Sequence, residues 1–145
     1  MPGVILAVDD SASMRQMVRY TLENAGYEVV QAADGVEALD YAKGSGVDLV
    51  LTDVNMPNMD GLTAIAQIKT ELPETEIVAI TSFIEEEKVT AALEAGATGY
   101  LLKDAEAEEV ARAVRAAYAG EVTLDPAVTR LLARRMRERK TTPEP

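Results

Sequence analysis

Asp9-Asp10, Asp53, Thr81-Ser82 and Lys103-Asp104 are the residues whose types could do chemistry together, and each follows a short apolar run. Brought to one place, three carboxylates repel one another and raise each other's pKa values. Two things relieve that: a hard divalent cation with oxygen ligands, and the ammonium of Lys103. Magnesium usually takes one or two carboxylates, keeps several waters and binds phosphate oxygens as well. The chemistry implied is phosphoryl transfer, with Asp53 as a carboxylate nucleophile that forms an acyl phosphate. The metal and Lys103 would neutralise charge on the equatorial oxygens, and positioning would do most of the rest. A carboxylate is already ionised at neutral pH, so no general base is needed.

The composition narrows the alternatives. The chain has 145 residues, no cysteine and no histidine. Disulfides, thiolate metal sites and cysteine nucleophiles are excluded, as is any serine–histidine–aspartate arrangement. The missing histidine suits an acceptor whose donor lies on another protein. A net charge of -11 repels nucleic acid and anionic membranes as a whole and favours cations. No apolar run approaches the length needed to cross a bilayer. Met1-Pro2-Gly3 lacks the basic-then-apolar pattern of a signal peptide, so a cytoplasmic protein is expected.

The elements that must position those residues follow from hydrophobic periodicity. Residues 4–8, 27–32, 49–52, 77–80 and 99–102 read as strands. The first, third and fourth are continuously apolar, as in strands covered on both faces. Helical patterns lie near 13–25, 36–43, 62–72, 85–95 and 105–119, with Gly26, Gly44, Gly96 and Gly120 placed as left-handed caps. Such alternation predicts a parallel sheet with helices on both faces. In open sheets of this kind the working groups gather outside the carboxyl ends of the strands, where all four chemical positions fall.

Beyond residue 122 the pattern changes. Asp125-Pro126 makes a good helix start, and Val128, Leu131, Leu132 and Met136 fall on one helical face. Residues 130–145 carry six basic and two acidic side chains, against eight and 23 before them. We expect one α/β domain over 1–122, and over 123–145 a linker, an appended amphipathic helix at 126–139 and a polar tail. The basic run from Arg130 to Lys140 reads as a solvated helix face or partner contact, since no groove-reading motif accompanies it.

Four segments carry a family resemblance: ILAVDDSASMR (5–15), LTDVNMPNMDG (51–61), AITS (79–82) and GYLLKD (99–104). In this order, each at a strand end, they resemble the response-regulator receiver domain, over nearly all of residues 3–120. The resemblance implies a flavodoxin-like α/β fold, a doubly wound (βα)5 parallel sheet of strand order 2-1-3-4-5, with the extra helix appended. It implies that Asp9 and Asp10 serve a Mg2+ ion, with Asp10 the direct ligand, and that Asp53 accepts the phosphoryl group. The backbone carbonyl of Asn55 completes the metal shell, Thr81 bonds a phosphoryl oxygen, and Lys103 pairs with the phosphate. Tyr100 is the aromatic switch, turning inward as Thr81 moves. The family's usual proline after the lysine is replaced by Asp104, so a cis peptide is not expected there.

The resemblance further implies a two-component signalling role. A histidine kinase is the phosphodonor, the only catalysis is of the domain's own phosphorylation and dephosphorylation, and the surface changes affinity for a partner. A homodimer through the last helices or the appended helix is a further expectation, with no nucleic acid bound by this chain alone and no membrane. Residues 4–69 resemble a chemotaxis-type receiver, and 77–125 resemble receivers of LuxR-type DNA-binding regulators. The two together imply a recombined or engineered receiver, joined between about Lys69 and Ile77.

Blander readings stand beside these. Alone, Asp9-Asp10 could be a solvated turn, Thr81 a half-buried strand residue, Lys103 a surface lysine and Tyr100 a core anchor. Asp60 reads as a helix cap, and Glu85-Glu86-Glu87 as the first turn of a helix. Two other functions compete: a non-switching scaffold or dimerisation module, and a magnesium-dependent phosphohydrolase. The latter is disfavoured because Asn55, not aspartate, stands two residues after Asp53.

Overall fold

The computed structural model describes residues 3–45, 47–54 and 61–141. In chain order the elements are β1 (Val4–Val8), α1 (Ala12–Asn24), β2 (Glu28–Ala32), α2 (Gly35–Ser45), β3 (Leu49–Asp53) and α3 (Gly61–Glu71). There follow β4 (Glu76–Thr81), α4 (Glu86–Ala95), β5 (Gly99–Leu102), α5 (Ala107–Tyr118), β6 (Thr123–Leu124) and α6 (Pro126–Thr141). All strand pairs are parallel, in the order β2-β1-β3-β4-β5-β6. The continuously apolar runs are β1, β3 and β4, and they occupy neighbouring central places, buried along almost their whole length.

Because side chains alternate across a strand, the sheet has two separate cores. On one face Ile5, Ala7, Leu49, Leu51, Val78 and Ile80 meet Val18 and Leu22 of α1 and Val110, Val114 and Ala117 of α5. On the other, Leu6, Val8, Val50, Ile77 and Ala79 meet α2, α3 and α4 through Leu39, Ile65, Ile68 and Val89. Each such Val, Leu or Ile contributes about 1.5–3 kcal/mol on burial. The result is a rigid support for whatever stands at the strand ends.

Local signals set the element ends. Ser11 caps α1, its hydroxyl accepting from the Met14 N–H at 3.3 Å. Gly26, Gly96 and Gly120 all take positive φ, as their placement predicts. At Gly96 the demand is double: φ is 115°, and a Cβ would lie 2.7 Å from Lys69 Cγ. Gly44 departs from expectation. It lies within the last turn of α2, which runs on to Ser45, because an exposed glycine there costs only about 1 kcal/mol relative to alanine.

The larger departure is β6. Thr123 and Leu124, expected as linker, pair with Gly99 and Tyr100 of β5 and make a sixth strand. The chain returning from α5 meets an edge with unpaired backbone groups. The Thr123 N–H bonds Thr98 O at 3.3 Å, and the Asp125 N–H bonds Tyr100 O at 2.9 Å. Asp125 then starts α6 as expected, its carboxylate accepting from the Ala127 N–H at 2.9 Å. Val128 is fully buried in the same cluster as Tyr100, Leu132 packs against that cluster, and Arg135 bonds Glu86 of α4 at 2.6 Å. Met136, expected on the same apolar stripe, is 67% exposed. Among the described residues no helix is long and apolar enough to cross a membrane.

This seating separates two substitutions on one helix. Val128→Ala should lower unfolding free energy by about 2 kcal/mol, from two lost methyl groups and the cavity left behind. Met136→Ala should change it by less than about 0.5 kcal/mol. Urea unfolding of both variants checks this, and equal small effects would mean that α6 does not pack as described.

Candidate functional site

Parallel strands deliver their carboxyl ends to one rim of the sheet. Asp9 is the first residue after β1, Asp53 the last of β3, Thr81 the last of β4 and Lys103 the first after β5. Ladder pairs Val8 with Thr52, Asp53 with Ile80 and Thr81 with Leu102 hold the four in step. Asp9 is tied at its N–H to Ala32 O (3.1 Å), and its Oδ1 accepts from the Ser11 N–H (2.9 Å). Lys103 is anchored through its own N–H on Thr81 O at 2.7 Å. Its Nζ reaches 2.8 Å from Asp53 Oδ2 and 3.0 Å from Asp9 Oδ2.

Asp53 and Asp9 are buried, 2% and 4% exposed, while Asp10 stands exposed at the mouth. One carboxylate oxygen from each of the three lies within 4.8 Å of the others. Burial raises the Asp9 pKa. The Ser11 N–H and the Lys103 ammonium work against the rise, and the charge of Asp53 adds to it. For Lys103 burial works to lower the pKa, but its bonds to Asp53 and Asp9 and their charges outweigh burial and leave it raised. The ammonium thus stays charged and balances part of the cluster.

The balance is incomplete. Lys103 directs its hydrogen bond at Asp53 Oδ2, and the same ammonium is shared with Asp9 Oδ2 at 3.0 Å. Buried carboxylates that share one ammonium are only partly compensated, and here a third carboxylate, that of Asp10, lies beside them. A hard cation with oxygen ligands fits this donor set. The cluster of Asp9, Asp10 and Asp53 could therefore hold a metal ion.

Thr81 and Tyr100 sit behind the rim, both fully buried. The Thr81 hydroxyl donates to Phe83 O at 2.9 Å and accepts from the Phe83 N–H at 3.4 Å, so it is turned along the β4–α4 loop. Tyr100 already points into the core. Burial, then the charges of Glu85 and Asp53, pushes its pKa up to about 12, with the Thr81 hydroxyl pulling the other way. The Lys103–Asp104 peptide is trans. The carbonyl of Asn55 and the cap expected at Asp60 lie outside the described residues.

One group at the site goes unassigned in the sequence. Arg15 donates from Nη1 to the backbone carbonyl of Asp9 at 2.5 Å and from Nε to Gln31 Oε1 at 3.1 Å. It closes the motif that begins at Ile5, but an arginine in the first turns of a helix ordinarily reads as surface charge. The signal was its distance from Asp9, one helical turn past the cap.

Comparison with known proteins agrees with this arrangement. The response regulator receiver domain matches residues 5–115. The chain is 36% identical over 145 residues to the nitrate/nitrite response regulator protein NarL of Escherichia coli (strain K12), covering 99% of this chain and 67% of that protein. It thus spans about two thirds of the length of that relative. Among solved structures, a LuxR-family two-component response regulator from Aurantimonas sp. SI85-9A1 superposes with a TM-score of 0.88 at 29% identity, covering 94% of this chain and 99% of that one. The chemotaxis protein CheY4 of Vibrio cholerae gives 0.77 at 39% identity, covering 81% and 99%. Neither a phosphohydrolase nor a non-switching scaffold is favoured by these matches. With its acidic rim, lysine and threonine on a β2-β1-β3-β4-β5-β6 sheet, the chain belongs to the response regulator receiver domain family.

Proposed function

We propose that the chain accepts a phosphoryl group on Asp53 from the phosphohistidine of a histidine kinase, and thereby switches its surface for a partner. The observation that carries this is the buried Asp53 carboxylate, at a strand end, 2.8 Å from the Lys103 ammonium and beside two further aspartates. An oxygen of Asp53 forms the new bond to phosphorus as the bond from phosphorus to the donor nitrogen breaks, and the imidazole leaves. Asp9, Asp10 and Asp53, with the Asn55 carbonyl as the family resemblance has it, would hold a Mg2+ ion, which would supply charge neutralisation at the phosphoryl oxygens.

The chain's own groups do the rest. Lys103 exchanges its carboxylate partner for a phosphoryl oxygen, since phosphorylation turns the Asp53 carboxylate into an acyl phosphate and adds strong acceptors. Thr81 leaves Phe83 to bond the phosphoryl group. Tyr100 lies immediately behind Thr81 in a packed core, so a change in the Thr81 hydroxyl is felt there and passes to β6 and α6, which contact the same strand. The readout by a partner is the familiar output of a charge-driven switch.

A small phosphodonor such as acetyl phosphate, with magnesium, should add one phosphoryl group to the wild type and none to Asp53→Ala, as read by intact mass. Chelation by EDTA should abolish the wild-type signal. Modification of both proteins alike would remove Asp53 from its role. The lysine pairing has its own test. Tyr100, Tyr118 and Lys103 all have raised pKa values, the tyrosines pushed from 10.0 to about 12. Each holds its proton longer folded than unfolded, so the unfolded chain releases protons first and stability falls as pH rises. Denaturant unfolding should therefore show the wild type losing stability from about pH 10 to 12. Lys103→Met should flatten that decline without removing it, because the tyrosines remain.

A further inference from the structure

We propose that Arg15 is a positioning residue for the metal site, acting through the backbone of Asp9 to set where Asp9 and Asp10 present their carboxylates. The inference rests on the reading of Asp9, Asp10 and Asp53 as metal ligands. Three bonds fix Asp9 besides its ion pair with Lys103. Its N–H is held by Ala32 O, its Oδ1 by the Ser11 N–H, and its carbonyl by the Arg15 guanidinium. The first two come from backbone groups of β2 and of the turn into α1. The third alone comes from a side chain.

The guanidinium is itself braced. Its Nε bonds Gln31 Oε1 on β2, and Gln31 stands opposite Ala7 in the ladder. Arg15 therefore ties α1, the β1–α1 turn and β2 together at the height of the acidic cluster. The carbonyl it holds belongs to the same planar peptide as the Asp10 N–H. Clamping that carbonyl fixes the rotation of the peptide that carries Asp10, whose side chain is otherwise exposed at the mouth.

Position, not charge, is the means. The groups that shift Asp9 are its burial, Ser11, Lys103 and Asp53, and Arg15 is not among them. A rigid fork with two separated donors is what an arginine supplies here, and lysine, a single point charge, does not reproduce it. Groups that orient metal ligands without touching the metal typically change affinity by about 10- to 100-fold when removed. The single carbonyl bond here belongs at the lower end.

The test is magnesium binding by the full, unphosphorylated chain, measured by isothermal titration calorimetry with MgCl2 at a temperature where circular dichroism shows each variant folded. Arg15→Ala and Arg15→Lys should both bind about tenfold more weakly than wild type. Acetyl phosphate labelling of Asp53 across magnesium concentrations should then give a raised half-saturation but a wild-type maximum rate. A merely structural arginine would lower the melting temperature and leave the magnesium half-saturation alone. Should Arg15→Ala not fold, Arg15→Lys and Gln31→Ala, which frees the guanidinium from β2, carry the test. Wild-type affinity in the folded variants overturns the inference, as does a lowered maximum rate with unchanged half-saturation. No magnesium binding by the wild type is a different result: it overturns the reading of the acidic cluster, and this inference with it.

Discussion

Two carboxylates buried within reach of a single ammonium set the terms for this molecule. Removing Asp9 and Asp53 from water is expensive unless each finds a partner, and Lys103 lies within 3.0 Å of both. A buried ion pair of this kind is weak grounds for stability, because desolvation takes back much of the attraction. Its worth lies in holding charge in reserve. The ammonium is ready to change partners once one carboxylate becomes an acyl phosphate, and the carboxylates it only partly neutralises are ready for a cation.

Such an arrangement cannot be built on mobile loops. Asp53 terminates a strand buried along its full length, and Asp9 is tied to the neighbouring strand β2. The two apolar cores above and below the sheet keep the strand ends from drifting apart, so the cost of crowding like charges is borne by packing far from the charges themselves. Thr81 and Tyr100 occupy the seam between rim and core. Tyr100 belongs to both, with its ring in the α2–α4 cluster and its backbone carbonyl receiving Asp125 at the start of α6.

Most of this was legible from residue order, because it depends on local rules. Continuous apolar runs marked β1, β3 and β4 as central, and parallel topology then required their next residues to share one rim. Gly96 announced the end of α4 because no other residue tolerates its backbone there without strain. Three features escaped for a common reason. β6 is two residues long and is made by the edge it finds rather than by its own propensity. Gly44 stays helical because neighbouring turns outweigh its preference. Arg15 gains its role from a carbonyl, and backbone acceptors leave no mark on the sequence. The gathering of Asp9, Asp53, Thr81 and Lys103 at the strand ends was visible; bonds between side chain and backbone, or between backbones distant in the chain, were not.

The short strand β6 has one more consequence. A strand at the margin of a sheet offers a row of unpaired backbone groups to any other extended chain. At β5 that row is already taken by Thr123 and Asp125, and α6 then packs through Val128 and Leu132 on the α2–α4 face of the sheet. An extended chain approaching there meets a two-residue strand in place of the longer edge of β5. The backbone row left open on that side is thus only two residues long, a far poorer template for strand addition than a long, flat edge.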